Sequence, residues 1–394
     1  MKRNSFKNLT NIGYLFLHFN EISFLYNRTF QFLSKLILLH LSDNKLESNE
    51  AETFHGLDSI EEIILAGNRI KTIDSMAFNF LTTLRLLGLE YNQLVNISKS
   101  TFKNLTLLDI LNLNINKIEY IHPDVFEELI SLRELYIEMN YFKSMDLKLF
   151  RNLTNLESLF LSANKLSFIN ETIFLGLNKL KRLYISYNLL TNLNEIMFTG
   201  LFNLEDLILD NNQISFVEEN SFKDLKQLKS LSLRSNLLNI LSAEIFENNT
   251  DLISLDLGFN KFKEIDIKYL INLQNLILDS NQLSNFTINI TTIIYLNLCG
   301  NPLVYLNYSF FESNGMIPSI ATLDISFCQI ESIDKDAFKI YKNLEGLDMY
   351  GNPLTFLNDS IFDGLNKLRY VRLNSTVENI TKLKELNQLI TFSN

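Results

Sequence analysis

The chain has 394 residues, of which 46% are hydrophobic, and a formal net charge of −10. Length and apolar content suffice for a large buried core, and the acidic balance disfavours nucleic acid, heparin-like glycans and anionic lipid surfaces as partners. The longest apolar run, "LILL" at 36–39, is far shorter than the ~20 residues of a membrane-spanning helix.

The N-terminal stretch opens with "SFKNLT" at 5–10, which returns as "TFKNLT" at 101–106 and "LFRNLT" at 149–154. Both gaps are multiples of 24, and a period of 24 runs onward from there. Phenylalanine recurs without a break at Phe6, Phe30, Phe54, Phe78, Phe102, Phe126, Phe150, Phe174, Phe198, Phe222 and Phe246. Asparagine does the same at Asn20, Asn44, Asn68, Asn92, Asn116, Asn140, Asn164, Asn188, Asn212, Asn236 and Asn260. Ahead of each asparagine stands apolar-x-x-apolar-x-apolar-x-x, as in "LESLFLSAN" at 156–164. Positions 3–7 of that unit alternate with period two, which predicts a short strand buried on one face. One such strand cannot bury its apolar side alone; stacked copies can, as a parallel sheet with neighbours ~4.8 Å apart. An asparagine at position 9 can bond the backbone of the following turn, and the phenylalanine column fills the opposite side. "YLFLHF" at 14–19 falls in this phase, so it reads as a strand and not as a secretion signal.

The regular period holds to about residue 260. Asn281 and Asn301 then arrive early, Cys328 takes the asparagine slot late, and the stretch 261–319 is irregular. Period 24 resumes over 320–376, and a degenerate "LRYVRLNST" at 368–376 ends the series, making about sixteen repeats in one solenoid spanning 1–394. Cys299 and Cys328 sit on adjacent strands two residues out of register, which places their Cα atoms ~8 Å apart and predicts no disulfide.

The pattern L-x-x-L-x-L-x-x-N/C-x-L with this period resembles the leucine-rich repeat. The 24-residue length with phenylalanine near position 20 resembles its "typical" subclass, carried by Toll-like receptor ectodomains, Slit proteins and chaoptin-like adhesion proteins. The resemblance implies an α/β solenoid, a horseshoe with a concave parallel β-sheet and a convex side of turns and short helical turns. It also implies a protein-binding scaffold at the cell surface or secreted. Relatives carry cysteine-rich terminal caps that are not seen here, so the chain reads as a piece of a longer protein. Membrane attachment is expected only through segments outside it.

Outward positions 2, 3, 5, 7 and 8 of the strand units need not be apolar for folding. At position 5, Tyr136, Phe160, Tyr184 and Ile208 form a candidate binding stripe, because clustered aromatics anchor protein interfaces. These outward positions hold sixteen acidic and eight basic residues, which favours a protein ligand with a basic surface. Glu205, Asp206 and Asp210 lie nearest the stripe. A homodimer is a further option, and homophilic adhesion or intracellular regulation are the alternative functions. Thirteen N-x-S/T sequons occur, twelve of them outside the strand segments as candidate glycan acceptors: Asn8, Asn27, Asn96, Asn104, Asn152, Asn170, Asn248, Asn285, Asn289, Asn307, Asn358 and Asn379. Four scattered histidines have no metal-ligand spacing. No nucleophile elbow or phosphate loop is present. Neither a metal, a cofactor nor catalysis is expected.

Overall fold

The computed structural model describes residues 1–2, 4–284, 290–306, 319–374, 377–386 and 391–393. The candidate acceptors Asn285, Asn289 and Asn307 lie outside the described residues, as does most of the segment 308–319. Two compact units are distinguished, Met1–Leu190 with Ile196–Leu204, and Thr191–Glu195 with Glu205–Asn394. Each is a parallel-strand solenoid of the expected class.

In the first unit, three-residue strands stack in parallel from Tyr14–Phe16 through Leu38–His40, Glu62–Ile64, Leu86–Gly88 and Ile110–Asn112 to Glu134–Tyr136, Ser158–Phe160 and Arg182–Tyr184. Every pairing joins residues 24 apart, so position 4 of each repeat faces the core beside position 4 of the next. The second unit runs from Asp206–Ile208 through Ser230–Ser232, Ser254–Asp256, Asn275–Ile277 and Tyr295–Asn297 to Thr322–Asp324, Gly346–Asp348 and Tyr370–Arg372. Although spacing changes between Ser254 and Thr322, position 4 still meets position 4, as in Leu276↔Leu296 and Leu296↔Leu323. A one-residue slip would turn the leucines outward, so length variation is absorbed away from the sheet. The reading that the series ends at 368–376 is incomplete: Thr391–Ser393 adds a further strand against Tyr370–Arg372. Helix is almost absent among the described residues, confined to the single 3-10 turn Ala243–Phe246 and the short α-helix Ile380–Leu386.

From Asn44 onward the asparagines of the series are buried and make a ladder, whereas Asn20 is exposed. The Asn68 amide nitrogen donates to the Leu65 carbonyl of its own repeat and to Leu41 of the preceding one, both at 3.0 Å, while its oxygen accepts from the Leu46 N–H at 3.0 Å. Asn92, Asn116, Asn140, Asn164 and Asn188 repeat this in the first unit, and Asn236 and Asn260 in the second. Asn44 does so too, and Asn212 bonds its own repeat through Leu209. Each rung thus satisfies buried backbone groups in two repeats, groups that would otherwise cost ~1–3 kcal/mol apiece. At Cys328 the thiol takes over the donor role, pointing at the Leu298 carbonyl at 3.1 Å; burial pushes its pKa up to about 12. Cys299 is likewise a free thiol.

On the far side the phenylalanines are buried and stacked. Ring centroids of Phe30 and Phe54 lie 6.1 Å apart with planes 2° from parallel, and Phe126–Phe150 at 6.5 Å and 7°. Before each ladder asparagine the chain turns through left-handed backbone, φ +53° at Ile115 and +54° at Tyr187, with Gly67 at +63° in the same slot. That conformation carries the strand into the turn and costs most residue types ~1–2 kcal/mol.

Candidate binding face

In the first unit the stripe is built by strand register. Tyr136 pairs with Phe160, and Phe160 with Tyr184, at position 5 of three adjacent strands. The first two rings stack with centroids 4.5 Å apart and planes 3° from parallel; the third meets Phe160 edge-on at 5.1 Å. All three are half-buried against one another. Tyr136 donates its hydroxyl to Glu134 Oε2 at 2.5 Å. Burial, and then this carboxylate, push the phenol up to about 12, so it stays a neutral donor. Arg182 donates from Nε to Ser158 Oγ at 2.8 Å and lies 3.9 Å from Glu134. A rigid aromatic centre with a charged, hydrogen-bonded edge is the kind of surface that anchors a protein partner. Tyr91 and Tyr187, at position 8 of their repeats, are exposed.

The remaining candidates belong to the second unit. Ile208 is half-buried at position 5 of its strand, with Ser232 as register neighbour. Glu205 is held by Lys229 at 2.8 Å. Asp210 is half-buried, accepts from the Ser232 hydroxyl and from the Arg234 N–H at 3.1 Å, and has its pKa raised, chiefly by burial. Glu205 and Asp210 are therefore tied into their own sheet. Asp206 is half-exposed at position 3.

Sequence reasoning missed the reason. Position 2 alternates in sign over eight repeats: Glu61, Arg85, Asp109, Arg133, Glu157, Lys181, Glu205, Lys229. The structure pairs them across neighbouring strands, with Arg133 bidentate to Asp109 at 2.6 Å and Lys181 to Glu157 at 2.9 Å. Arg85 lies 3.8 Å from Glu61. A charge sum over outward positions already counts both signs but hides which acid has a base beside it, which a column-by-column reading would have found. Further along the second unit, Arg234 reaches past one strand to grip Asp279 with two bonds of 2.8 Å. It passes over Gly258, where a Cβ would fall 2.4 Å from both Arg234 Nη1 and Asp279 Oδ1, so only glycine leaves the passage open. Arg372 holds Asp348 at 3.3 Å. Asp324 sits in register beside Asp348, bonded to Ser326 and with its pKa raised chiefly by burial.

The candidate glycan acceptors fall into classes by what their amide nitrogen does. Asn8, Asn96, Asn248 and Asn358 are exposed, and the nitrogen makes no hydrogen bond among the described residues. Asn152 and Asn170 are half-buried and donate to the carbonyls of Glu127 and Met145. Asn104 and Asn379 have two acceptors each, the backbone and side chain of Asn79, and Leu357 and Asp359; Asn27 has two, Ala51 and Glu50, once its amide is turned over so that the nitrogen faces them. Among the described residues no three potential metal ligands converge, and no helix is long and apolar enough to cross a membrane.

Comparison with known proteins follows the same line. The model of the family described as "Leucine rich repeat" matches residues 35–94, 82–142, 130–190, 178–238 and 318–377, more than half of the chain. No curated protein matches the sequence. A chain in the structure of the Toll–Spatzle complex from Drosophila superposes with a TM-score of 0.74 at 21% identity, covering 100% of this chain and 59% of that one. This protein therefore spans under two thirds of that chain. The functional domain of InlJ from Listeria monocytogenes gives 0.66 at 18% identity over 93% of this chain and 74% of that one. A chain of the octameric complex of Latrophilin 3, Unc5D and FLRT2, the last through its leucine-rich repeats, gives 0.52 at 25% over 60% and 71%. With the repeat, the asparagine ladder and the family match in agreement, the chain belongs to the leucine-rich repeat family.

Proposed function

We propose that the chain is the ligand-recognition region of a cell-surface receptor or secreted recognition protein, and that it binds a protein partner on the sheet face. The fold is typical of protein-binding scaffolds, and solved structures that resemble it include complexes with protein partners. The observation that carries the reading is the packed aromatic row Tyr136, Phe160 and Tyr184 on a face that folding leaves free to be polar. The partner is expected to present a basic surface. The scaffold acts by surface complementarity, without catalysis and without a cofactor.

Affinity capture from the secreted and surface proteins of the source tissue supplies a partner, and variants then separate the roles. Tyr184→Ala is expected to weaken binding by about 2 kcal/mol or more, mainly through faster dissociation. Asp206→Asn is expected to slow association and flatten its salt dependence. Unchanged binding by Tyr184→Ala refutes the stripe as the anchor.

A further inference from the structure

The sequons divide by chemistry that their spelling does not show. We propose that N-linked glycans sit on Asn8, Asn96, Asn248 and Asn358, and that the Asn104, Asn27 and Asn379 amides serve as pegs between repeats and carry none. The assignment rests on the extracellular reading above.

Glycan transfer consumes an amide N–H. Nδ2 attacks the anomeric carbon of an oligosaccharide carried on a polyprenyl pyrophosphate, and a C–N bond forms as the C–O bond to the carrier breaks. The amide gives up one proton, and the lipid pyrophosphate leaves. One N–H remains, so a glycosylated asparagine can make at most one side-chain donor bond. It also needs open space around the nitrogen for the sugar. Asn8, Asn96, Asn248 and Asn358 meet both conditions: each is exposed and its nitrogen is unengaged among the described residues. The Asn358 oxygen is already fixed by the Ser360 N–H and hydroxyl at 3.0 and 2.6 Å, which leaves the nitrogen facing outward.

Asn104 fails both conditions. Its Nδ2 donates to the Asn79 carbonyl at 3.1 Å and to the Asn79 side-chain oxygen at 2.6 Å, in the preceding repeat. Its backbone N–H donates to Glu128 in the following repeat at 2.7 Å, and its φ of +66° fixes the side chain's direction. One residue thus links three repeats. Asn379 spends its nitrogen on Leu357 and Asp359 at 2.6 and 3.0 Å. The Asn27 amide faces two acceptors, Ala51 and Glu50, and with its ends exchanged so that the nitrogen meets them it donates at 2.8 and 3.2 Å. Asn152 and Asn170 spend one N–H and keep one, and they are left out of the assignment.

The full chain, secreted from animal cells behind a signal peptide, provides the test through peptide mass spectrometry after enzymatic deglycosylation. Occupancy at Asn8, Asn96, Asn248 and Asn358 is expected to exceed that at Asn27, Asn104 and Asn379 at least tenfold. Two variants separate sequon from peg. Thr106→Ala removes the sequon and keeps the Asn104 amide; it is expected to leave glycan mass and melting temperature unchanged. Asn104→Gln removes both; it is expected to lower the melting temperature at unchanged glycan mass. Occupancy at Asn104 equal to that at Asn248, or equal glycan loss in both variants, overturns the proposal. A protein with no glycan at any site overturns the extracellular reading and the four assignments with it. The two Asn104 variants would still decide the peg on melting temperature alone.

Discussion

Replacing Asn140 by alanine tests the ladder at a single rung, and the structure sets the cost. Asn140 is buried and makes four bonds: Nδ2 donates to Leu113 at 3.0 Å, Ile137 at 3.3 Å and Glu138 at 3.1 Å, and Oδ1 accepts from the Ile118 N–H at 2.9 Å. The buried carbonyls are not orphaned by its loss, because Leu113 also accepts from Asn116 and Ile137 from Asn164. The Ile118 N–H loses its side-chain acceptor, at ~1–3 kcal/mol, and two carbonyls lose one of two donors, at ~0.5–1 kcal/mol each. The expected total is about 2–5 kcal/mol by urea denaturation, accompanied by faster hydrogen exchange at the Ile118 amide. Asn140→Asp should cost more than Asn140→Ala, because a carboxylate would keep the Ile118 bond but turn its second oxygen toward carbonyls. Asn140→Cys should cost less, since Cys328 shows a thiol serving as donor in this slot. An aspartate milder than alanine, or unchanged protection of the Ile118 amide, refutes the reasoning.

Phe126→Ala removes a ring stacked between Phe102 and Phe150 and is expected to cost ~3–5 kcal/mol in the same assay. Asn49 stands in a column of aliphatic residues, in register with Ile73, fully buried and with neither end of its amide bonded. Asn49→Leu should therefore stabilise the fold by about 2 kcal/mol, seen as a higher urea midpoint. The Glu90 carboxylate lies over Gly88 with one buried oxygen unpartnered, and burial raises its pKa above the unfolded value. The ionised form is therefore penalised in the fold at pH above the folded pKa, and the penalty vanishes below the unfolded one. Glu90→Gln should raise the melting temperature at pH 7, with the gain disappearing as pH falls through the carboxylate range.

Features that each repeat places in the same environment were legible in the sequence. The strand leucines, the asparagine rung and the phenylalanine column recur because every copy meets identical neighbours. The left-handed turn before the rung was not legible, since Asp43, Tyr91, Ile115, Met139, Ala163 and Ser235 all adopt it and share no chemistry. There the geometry is imposed by the ladder bonds on either side. The closing strand Thr391–Ser393 was missed because it follows its neighbour by 21 residues, out of the period of 24, and carries Phe392 where the other strands have leucine, isoleucine or valine. The aromatic row could be read from register alone, while the bonds that hold Glu205 and Asp210 lie on the next strand, outside their own repeat. The amide bonds that sort the sequons likewise run to other repeats, and no tripeptide motif records them.

The sign alternation along position 2 makes the repeats unequal as units of inheritance. Excising the single repeat that carries Arg85 would set Glu61 beside Asp109, and like charges directly opposite one another on adjacent strands repel. Excising or inserting two repeats at once keeps every acid next to a base. Inside this run of eight repeats, a 48-residue pair is therefore the smallest internal piece that can be gained or lost without setting like charges side by side. The phrases "SFKNLT", "TFKNLT" and "LFRNLT" fall at separations of 96 and 48 residues, whole multiples of that pair.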